Sequence, residues 1–575
     1  MKTPRTVSLS TPFEANITNP PFATYPRPQL VRDSYFCLNG WWDFSLRSVG
    51  EQTKAQKILV PYPPESRISG IGRAITPGDT MIYHRSFTLP NDFLQGEDGE
   101  RVLLHFGAVD QFALVYLNGH LLGQHQGGYL PFSIDVTDYL LDGENDLRVE
   151  ACDPLDRDLP YGKQTNRRGG MWYTPVSGIW QTVWMECVPA DAIRSLRITP
   201  TLDSVTVEVE GGKAEEEKVL TLDGQDHVFH GNSITLVIAD PHHWTPEDPF
   251  LYEFSVTSGS DTVYSYFALR TVGVKKIGGS SVLTLNDLPY FFHGLLDQGY
   301  FSDGIFLPAT EQGFINDIRQ MKACGFNMLR KHIKVEPDLF YYLCDKLGMV
   351  VFQDMVNNGR YNFLIDTALP TIGVKRAFTH RASDRRRKHF FQCAEGMMDH
   401  LYNHPSVCYY TIFNEGWGQF DADEVYERLK AKDPTRIYDA TSGWFKKKKS
   451  DVESDHVYFK KIKLKSIPNR PMVLSEFGGY SCKVEGHAFN LDKTYGYRFF
   501  EELPAFEDAL VKLYEDEIIP HVEKGLSATV LTQVSDVEDE TNGLLTYDRA
   551  LLKVDPRRMR KLSRKLYEIF EETWL

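Results

Sequence analysis

From Lys275 to the end of the chain, short apolar runs alternate with segments of helical period, and no other feature restricts the fold as much. In "TEQGFINDIRQMKACG", Ile315, Ile318 and Met321 fall on one helical face, and Gly325 stops the helix before the strand-like run "FNMLR". "EPDLFYYLCDKLG" repeats the pattern, with Pro337 near its start and Gly348 at its end, and "MVVFQD" is the next strand. Strands alternating with helices imply a parallel sheet. The segment is long enough for a (β/α)8 barrel, which takes about 250 residues. Eight strands are expected at 290–294, 326–330, 349–354, 408–415, 436–441, 455–459, 471–476 and 528–533. Those between 408 and 476 are closely spaced, so the helices joining them must be short or degraded.

Upstream the pattern differs. Between Leu38 and Cys187, runs such as "WWDFSL", "RVLLHFGAV", "QFALVYLNG" and "IWQTVWMECV" are short, alternating or apolar, and separated by Gly, Asn, Asp and Pro. This pattern predicts a β-sandwich or jelly roll. "SVTVEVE", "KVLTLDG", "SITLVIAD" and "LYEFSVTSG", between Pro189 and Val274, predict a small Ig-like sandwich. The expected organisation is multidomain: a β jelly roll over 1–188, an Ig-like β-sandwich over 189–274 and a C-terminal (β/α)8 TIM barrel over 275–575.

Charge and cysteine usage narrow the function. A formal charge of −15 disfavours polyanionic partners, so nucleic acid is not expected. The first twenty residues lack the apolar centre of a signal peptide, and no run is long enough to span a membrane. The 8 cysteines are scattered without a C-x-x-C, which reads as thiols in a reducing cytoplasm. The basic stretch "VKRAFTHRASDRRRKHFFQ" (374–392) reads as the start of a long surface helix, a rim, or a contact between copies in a homo-oligomer. "KKKKSD" (446–451) reads as an exposed loop.

Barrel strands end on the face where chemistry is done. The fourth expected strand ends in Asn414-Glu415 and the seventh in Ser475-Glu476, so a closed barrel would aim two carboxylates into one pocket. Such a pair cleaves a glycosidic bond: one carboxyl protonates the leaving oxygen while the other attacks the anomeric carbon. Retention of configuration needs them about 5–5.5 Å apart, with their pKa values separated.

These residues resemble glycoside hydrolase family 2, the β-galactosidases, β-glucuronidases and β-mannosidases. "FNEGWGQF" is similar to its acid/base motif and "LSEFGGY" to its nucleophile motif. "LNGWWDF", "YLNGHLLGQHQGGYLPF" and "VSGIWQTVW" resemble its sugar-binding jelly roll. "HWTPEDPFLYEF" with "FALRTVGVKK" resembles its Ig-like domain. The resemblance makes Glu415 the acid/base and Glu476 the nucleophile, with Asn414 on the sugar 2-hydroxyl. It places His456 and Tyr458 beside the nucleophile, Arg330 and His332 after the second strand and Asp297 on a sugar hydroxyl, with Trp417 and Trp444 as stacking faces. The sequence departs from the glucuronidase branch: Leu544 stands where an Asn-x-Lys clamp beginning at Asn542 needs lysine, and Gln533 stands where strand eight commonly ends in Trp. Arg330, Lys331, His332 and Lys334 offer a substitute positive group. The expected activity is a retaining exo-β-glycosidase acting on terminal β-linked carbohydrate, β-galactosidase-like first and β-hexuronidase (galacturonide or glucuronide) second. The rival of another class is a non-catalytic carbohydrate-binding protein. The mechanism requires no cofactor, and no metal ligand set has convincing spacing.

Overall fold

The computed structural model describes residues 5–49, 51–94, 99–213, 216–371, 374 and 381–575. The N-terminal sandwich consists of two antiparallel sheets. One pairs Phe36–Cys37, Val183–Val188, Arg101–Phe106 and Phe132–Asp135. The other has Gly40–Ser48, Thr80–Thr88, Glu144–Cys152, Phe112–Leu117 and His120–Gln126 as its main run. Their alternating inward residues, among them Trp42, Phe44, Tyr83, Leu104, Val115, Val149 and Met185, form one core. The Ig-like unit repeats the plan on a smaller scale. A sheet of Ile193–Pro200, Ser204–Gly211 and Ser233–Val237 faces one of Gln225–Phe229, Lys218–Leu222, Tyr252–Ser258 and Asp261–Phe267. The segment before Phe36 belongs to neither sandwich core alone. Val7 N–H donates to Phe489 O (2.8 Å), Val31 bridges Tyr264, and buried Arg32 reaches both Glu186 and Asp261.

The barrel strands are β1 (Phe292–Asp297), β2 (Met328–Lys331), β3 (Val350–Asp354), β4 (Val407–Thr411), β5 (Ile437–Asp439), β6 (Glu453–Val457), β7 (Met472–Gly478) and β8 (Leu526–Thr532). All eight are parallel, in the order 5-4-3-2-1-8-7-6. Phe292, Leu296, Met328, Phe352, Tyr409 and Val530 fill the interior. The hairpin Val272–Ile277/Ser280–Leu285 plugs its base with Leu283 and Leu285. Outside lie α1 (Glu311–Ala323), α2 (Asp338–Leu347), α3 (Asp384–Leu401), α4 (Ala422–Lys432), α5 (Leu503–Leu513) and α6 (Pro556–Trp574). Pro337 and Gly348 bound α2 as the sequence predicts, Gly348 at φ +73°.

Some boundaries differ, each for a local reason. Leu288–Pro289 joins the plugging hairpin, so β1 starts later than expected. Strand β4 leaves its ladder after Thr411, before Glu415 turns over the barrel rim. Strands β5 and β6 share no ladder. The loop between them folds back instead: Asp451 N–H donates to Tyr438 O (3.0 Å), and the Asp451 carboxylate accepts from Tyr438 N–H (2.9 Å). No helix joins β5 to β6 or β6 to β7, and α4 has 11 residues. Residues 375–380 of the basic stretch lie outside the described residues. Its remainder opens α3, where the Ser383 hydroxyl caps the helix by accepting from Arg386 N–H (3.2 Å). No helix among the described residues is long and apolar enough to cross a membrane.

Candidate active site

The two sequence-predicted carboxylates meet. Glu415 follows β4 with φ +53°, a left-handed conformation that few non-glycine residues adopt, and its N–H donates to Ser442 O (3.0 Å). Glu476 lies within β7. His456, at the end of β6, sits between them, its Nδ1 2.8 Å from Glu415 Oε1 and 3.5 Å from Glu476 Oε2. One oxygen of each carboxylate and one His456 nitrogen all lie within 4.8 Å of one another. Proximity alone would let this trio hold a cation.

The two carboxylates are held differently. Both Glu476 oxygens accept hydrogen bonds, Oε1 from Arg330 Nη1 (3.1 Å) and Oε2 from the Tyr458 hydroxyl. Arg330 is 1% exposed and spends every donor: Nε and Nη2 clasp Asp354 (2.9 and 3.1 Å), Nη2 also reaches Asn414 Oδ1 (2.9 Å), and Nη1 reaches Ser475 O (2.9 Å). This bidentate clasp orients the guanidinium toward Glu476. Glu415 faces no comparable cation contact. Burial pushes its carboxyl pKa up, against the more distant charges of Lys163, His332 and Arg330. Burial also lowers His456 to about 3, so the imidazole is neutral at physiological pH. Arg330 Nη1 (3.4 Å) and the Ser442 hydroxyl (3.0 Å) face its Nε2. That assigns the proton to Nδ1, which donates to Glu415.

Gly443 makes room for this arrangement. It has φ +86°, and a Cβ there would overlap the His456 ring. Gly443→Ala is therefore expected to displace the imidazole from Glu415 and lower kcat by roughly 100-fold, and also to lower Tm, because alanine is strained at this φ and crowds a buried ring. Kinetics with a melting curve would check this, and full activity would remove His456 from the site's machinery.

The other candidate residues divide. Asn414, Arg330, His456 and Tyr458 touch the carboxylate network directly. His332 joins it through Asp354 Oδ2 (2.7 Å), and Trp444 lies 6.1 Å from His456, ring to ring. Asp297 is not open to a sugar. Its Oδ2 takes Lys331 Nζ (2.6 Å) and its Oδ1 takes Gly299 N–H (2.9 Å). Trp417 is 3% exposed, donates from its indole to Gly359 O (3.0 Å), and packs edge-on against Trp172 (5.0 Å), so it is a wall rather than a free face. The substitute clamp also fails. Lys331 and Lys334 are buried against Glu336 (2.8 Å each), and Arg330 has no spare donor.

Several residues were not singled out by sequence. Asp354 was visible only as the last letter of a strand. Glu540 takes the Tyr173 hydroxyl and Gln298 donates from Nε2 to Gln533 (2.9 Å), whereas Gln533 and Asn542, both singled out by sequence, pair with each other, Gln533 donating to Asn542 Oδ1 (2.8 Å). Tyr173, Trp172 and Lys163 come from the N-terminal sandwich, more than 200 positions before the carboxylates, and no local signal marks them.

Comparison with known proteins gives three matches along the chain. Residues 74–178 match the glycosyl hydrolase 2 galactose-binding domain-like family, 190–270 the glycosyl hydrolases family 2, and 280–551 the glycosyl hydrolases family 2 TIM barrel domain. A β-galactosidase of Leuconostoc mesenteroides is 24% identical over 535 residues, covering 80% of this chain and 49% of the relative. The chain thus spans about half the length of the curated relatives it matches. Among solved structures, a β-D-glucuronidase of Dictyoglomus thermophilum superposes with TM-score 0.72 at 18% identity, covering 96% of this chain and 99% of that one. A β-galacturonidase of Eisenbergiella tayi bound to galacturonate gives 0.68 at 18%, covering 93% and 98%.

Proposed function

The chain belongs to glycoside hydrolase family 2, and from that premise we propose that it is a retaining exo-β-glycosidase. The observation that carries the reading is that one oxygen of Glu415 and one of Glu476 lie within 4.8 Å of each other, both beside the His456 ring nitrogen. Double displacement needs carboxyl groups about 5–5.5 Å apart, whereas inversion needs about 6.5–9.5 Å to admit a water.

The two environments suggest the roles. Protonated Glu415 donates its proton to the glycosidic oxygen as Glu476 Oε2 attacks the anomeric carbon. The aglycone leaves as its alcohol and a glycosyl–Glu476 ester forms. Glu415, now a carboxylate, takes a proton from water, whose oxygen attacks the same carbon and releases Glu476 with the sugar's original configuration. Neutral His456 holds Glu415 Oε1 through its Nδ1–H. Arg330 and the Tyr458 hydroxyl hold Glu476 in its ionised form and in position. Asn414 Oδ1 accepts from Arg330, leaving its amide nitrogen for the sugar 2-hydroxyl. Trp172 packs on Trp417 and Tyr173 donates to Glu540, so the N-terminal sandwich covers the barrel mouth beside the carboxylates, which suits a terminal sugar. The curated relatives named β-galactosidase favour a galactoside; structural neighbours named for glucuronide and galacturonide hydrolysis favour a hexuronide.

The test uses aryl β-glycosides of both classes. NMR should detect the β-anomer as the first sugar released, and a 2-deoxy-2-fluoro-glycoside should leave its label on the peptide containing Glu476. Release of the α-anomer, or a label elsewhere, would overturn the assignment.

A further inference from the structure

We propose that Lys163, delivered to the barrel mouth by the N-terminal sandwich, binds the carboxylate of the substrate, so that the preferred sugar is a β-hexuronide. The inference rests on the retaining-glycosidase reading and specifies its substrate.

Lys163 lies in the loop between strands Glu144–Cys152 and Gly178–Ile179 of the sandwich. The loop is pinned where it matters. Lys163 O accepts from Tyr173 N–H (3.1 Å). The adjacent Gln164 accepts from Val176 N–H (2.6 Å) and donates to Asp110 (3.1 Å) and to the Tyr129 hydroxyl (3.2 Å). Tyr161 anchors the same loop to the barrel by donating its hydroxyl to Gly359 O (2.7 Å). The Lys163 side chain is only 8% exposed, and its ammonium lies 5.6 Å from the centre of the Trp172 ring. It makes no hydrogen bond or ion pair with a described residue, although Arg330, Lys331 and Lys334 in the same region all do. Trp172 in turn packs edge-on against Trp417 (5.0 Å), two residues after Glu415, which brings the ammonium to the carboxylate site, and its charge favours the ionised forms of Glu415 and Glu540.

The Lys163 side chain is largely covered, yet its ammonium has no acceptor among the described residues, so a substrate that brings a carboxylate gains a charge-assisted hydrogen bond there. A second donor in the same wall is also unmatched. Asn542 is 1% exposed and its Nδ2 has no partner, while its Oδ1 is occupied by Gln533. A carboxylate supplies two acceptor oxygens and a negative charge, and its bond to an ammonium is stronger than a hydroxyl's. Glu540, next along the wall, is raised to about 7 by burial, so below that pH it is largely protonated and does not repel the incoming anion. A cation from the sandwich thus does the work for which the barrel's own loop carries Leu544 and no lysine.

The experiment compares kcat/KM for nitrophenyl β-galacturonide, β-glucuronide and β-galactoside in the unaltered protein, Lys163→Met and Lys163→Arg. The unaltered protein should prefer one hexuronide over the galactoside. Lys163→Met should cut that hexuronide's kcat/KM by roughly 50-fold more than the galactoside's, chiefly through KM. Lys163→Arg, which keeps the charge, should retain part of the preference. Equal losses on both sugar classes, or a galactoside preference before mutation, would overturn the assignment. Fluoro-sugar labelling of Glu476 separates the two levels: label with a galactoside preference removes only the role of Lys163, whereas no turnover and no label removes the parent reading too.

Discussion

Glu476→Gln is expected to lower kcat on every aryl β-glycoside by on the order of 10⁵-fold while leaving the fold and ligand affinity nearly intact. The amide keeps the shape of the carboxylate, and its oxygen can still accept from Arg330, which lies 3.1 Å from Glu476 Oε1. Arg330 also remains clasped by Asp354, so the substitution does not strand a buried guanidinium. Removing Asp354 instead would do so, at a cost of about 3–5 kcal/mol. What the amide cannot do is form the glycosyl ester, so the loss falls on the chemical step. Stopped assays with a titration of a sugar ligand would separate the two effects. Turnover above a tenth of normal would eliminate Glu476 as nucleophile, and an inert starting protein that still bound sugar would support the carbohydrate-binding alternative.

The barrel was legible because a period change is a local property of sequence. Ile315, Ile318 and Met321 mark a helix face wherever they occur, and the apolar runs leading to Asp354, Glu415 and Glu476 mark barrel strands, though β4 and β7 do not end at their glutamates. The convergence of Glu415 and Glu476 followed from closure alone. The gap between β5 and β6 was not legible, because it depends on Asp451 folding back onto Tyr438, a choice made by tertiary contact. The basic run at 330–334 misled for the same reason. Sequence displays its charges but not Glu336, Asp297 and Asp354, which neutralise them in the folded state. Lys163 is the converse case, a lysine in an unremarkable loop whose lack of a hydrogen-bond acceptor among the described residues is visible only once the sandwich is docked on the barrel.

Glu415→Ala is expected to discriminate between leaving groups. With a poor leaving group such as an alkyl alcohol, kcat/KM should fall by about 10³–10⁴-fold, since the departing oxygen needs its proton. With dinitrophenolate, which leaves unaided, the fall should be about tenfold or less, and added azide should restore turnover by attacking the glycosyl–Glu476 ester in place of base-activated water. The pH profile carries the same assignment. In the proposed roles Glu415 acts first as an acid, so kcat/KM should fall as pH rises through its pKa, and burial moves that limb above the ordinary value of a glutamate. The limb should vanish in Glu415→Ala. Lys163 opposes the upward shift by favouring the carboxylate, so Lys163→Met should move the limb to higher pH, whichever sugar is used. A basic limb that persisted in Glu415→Ala would assign the proton to another group. Tyr458 does not fit, because burial and the neighbouring Glu476 hold its hydroxyl protonated well past the range in which Glu415 titrates.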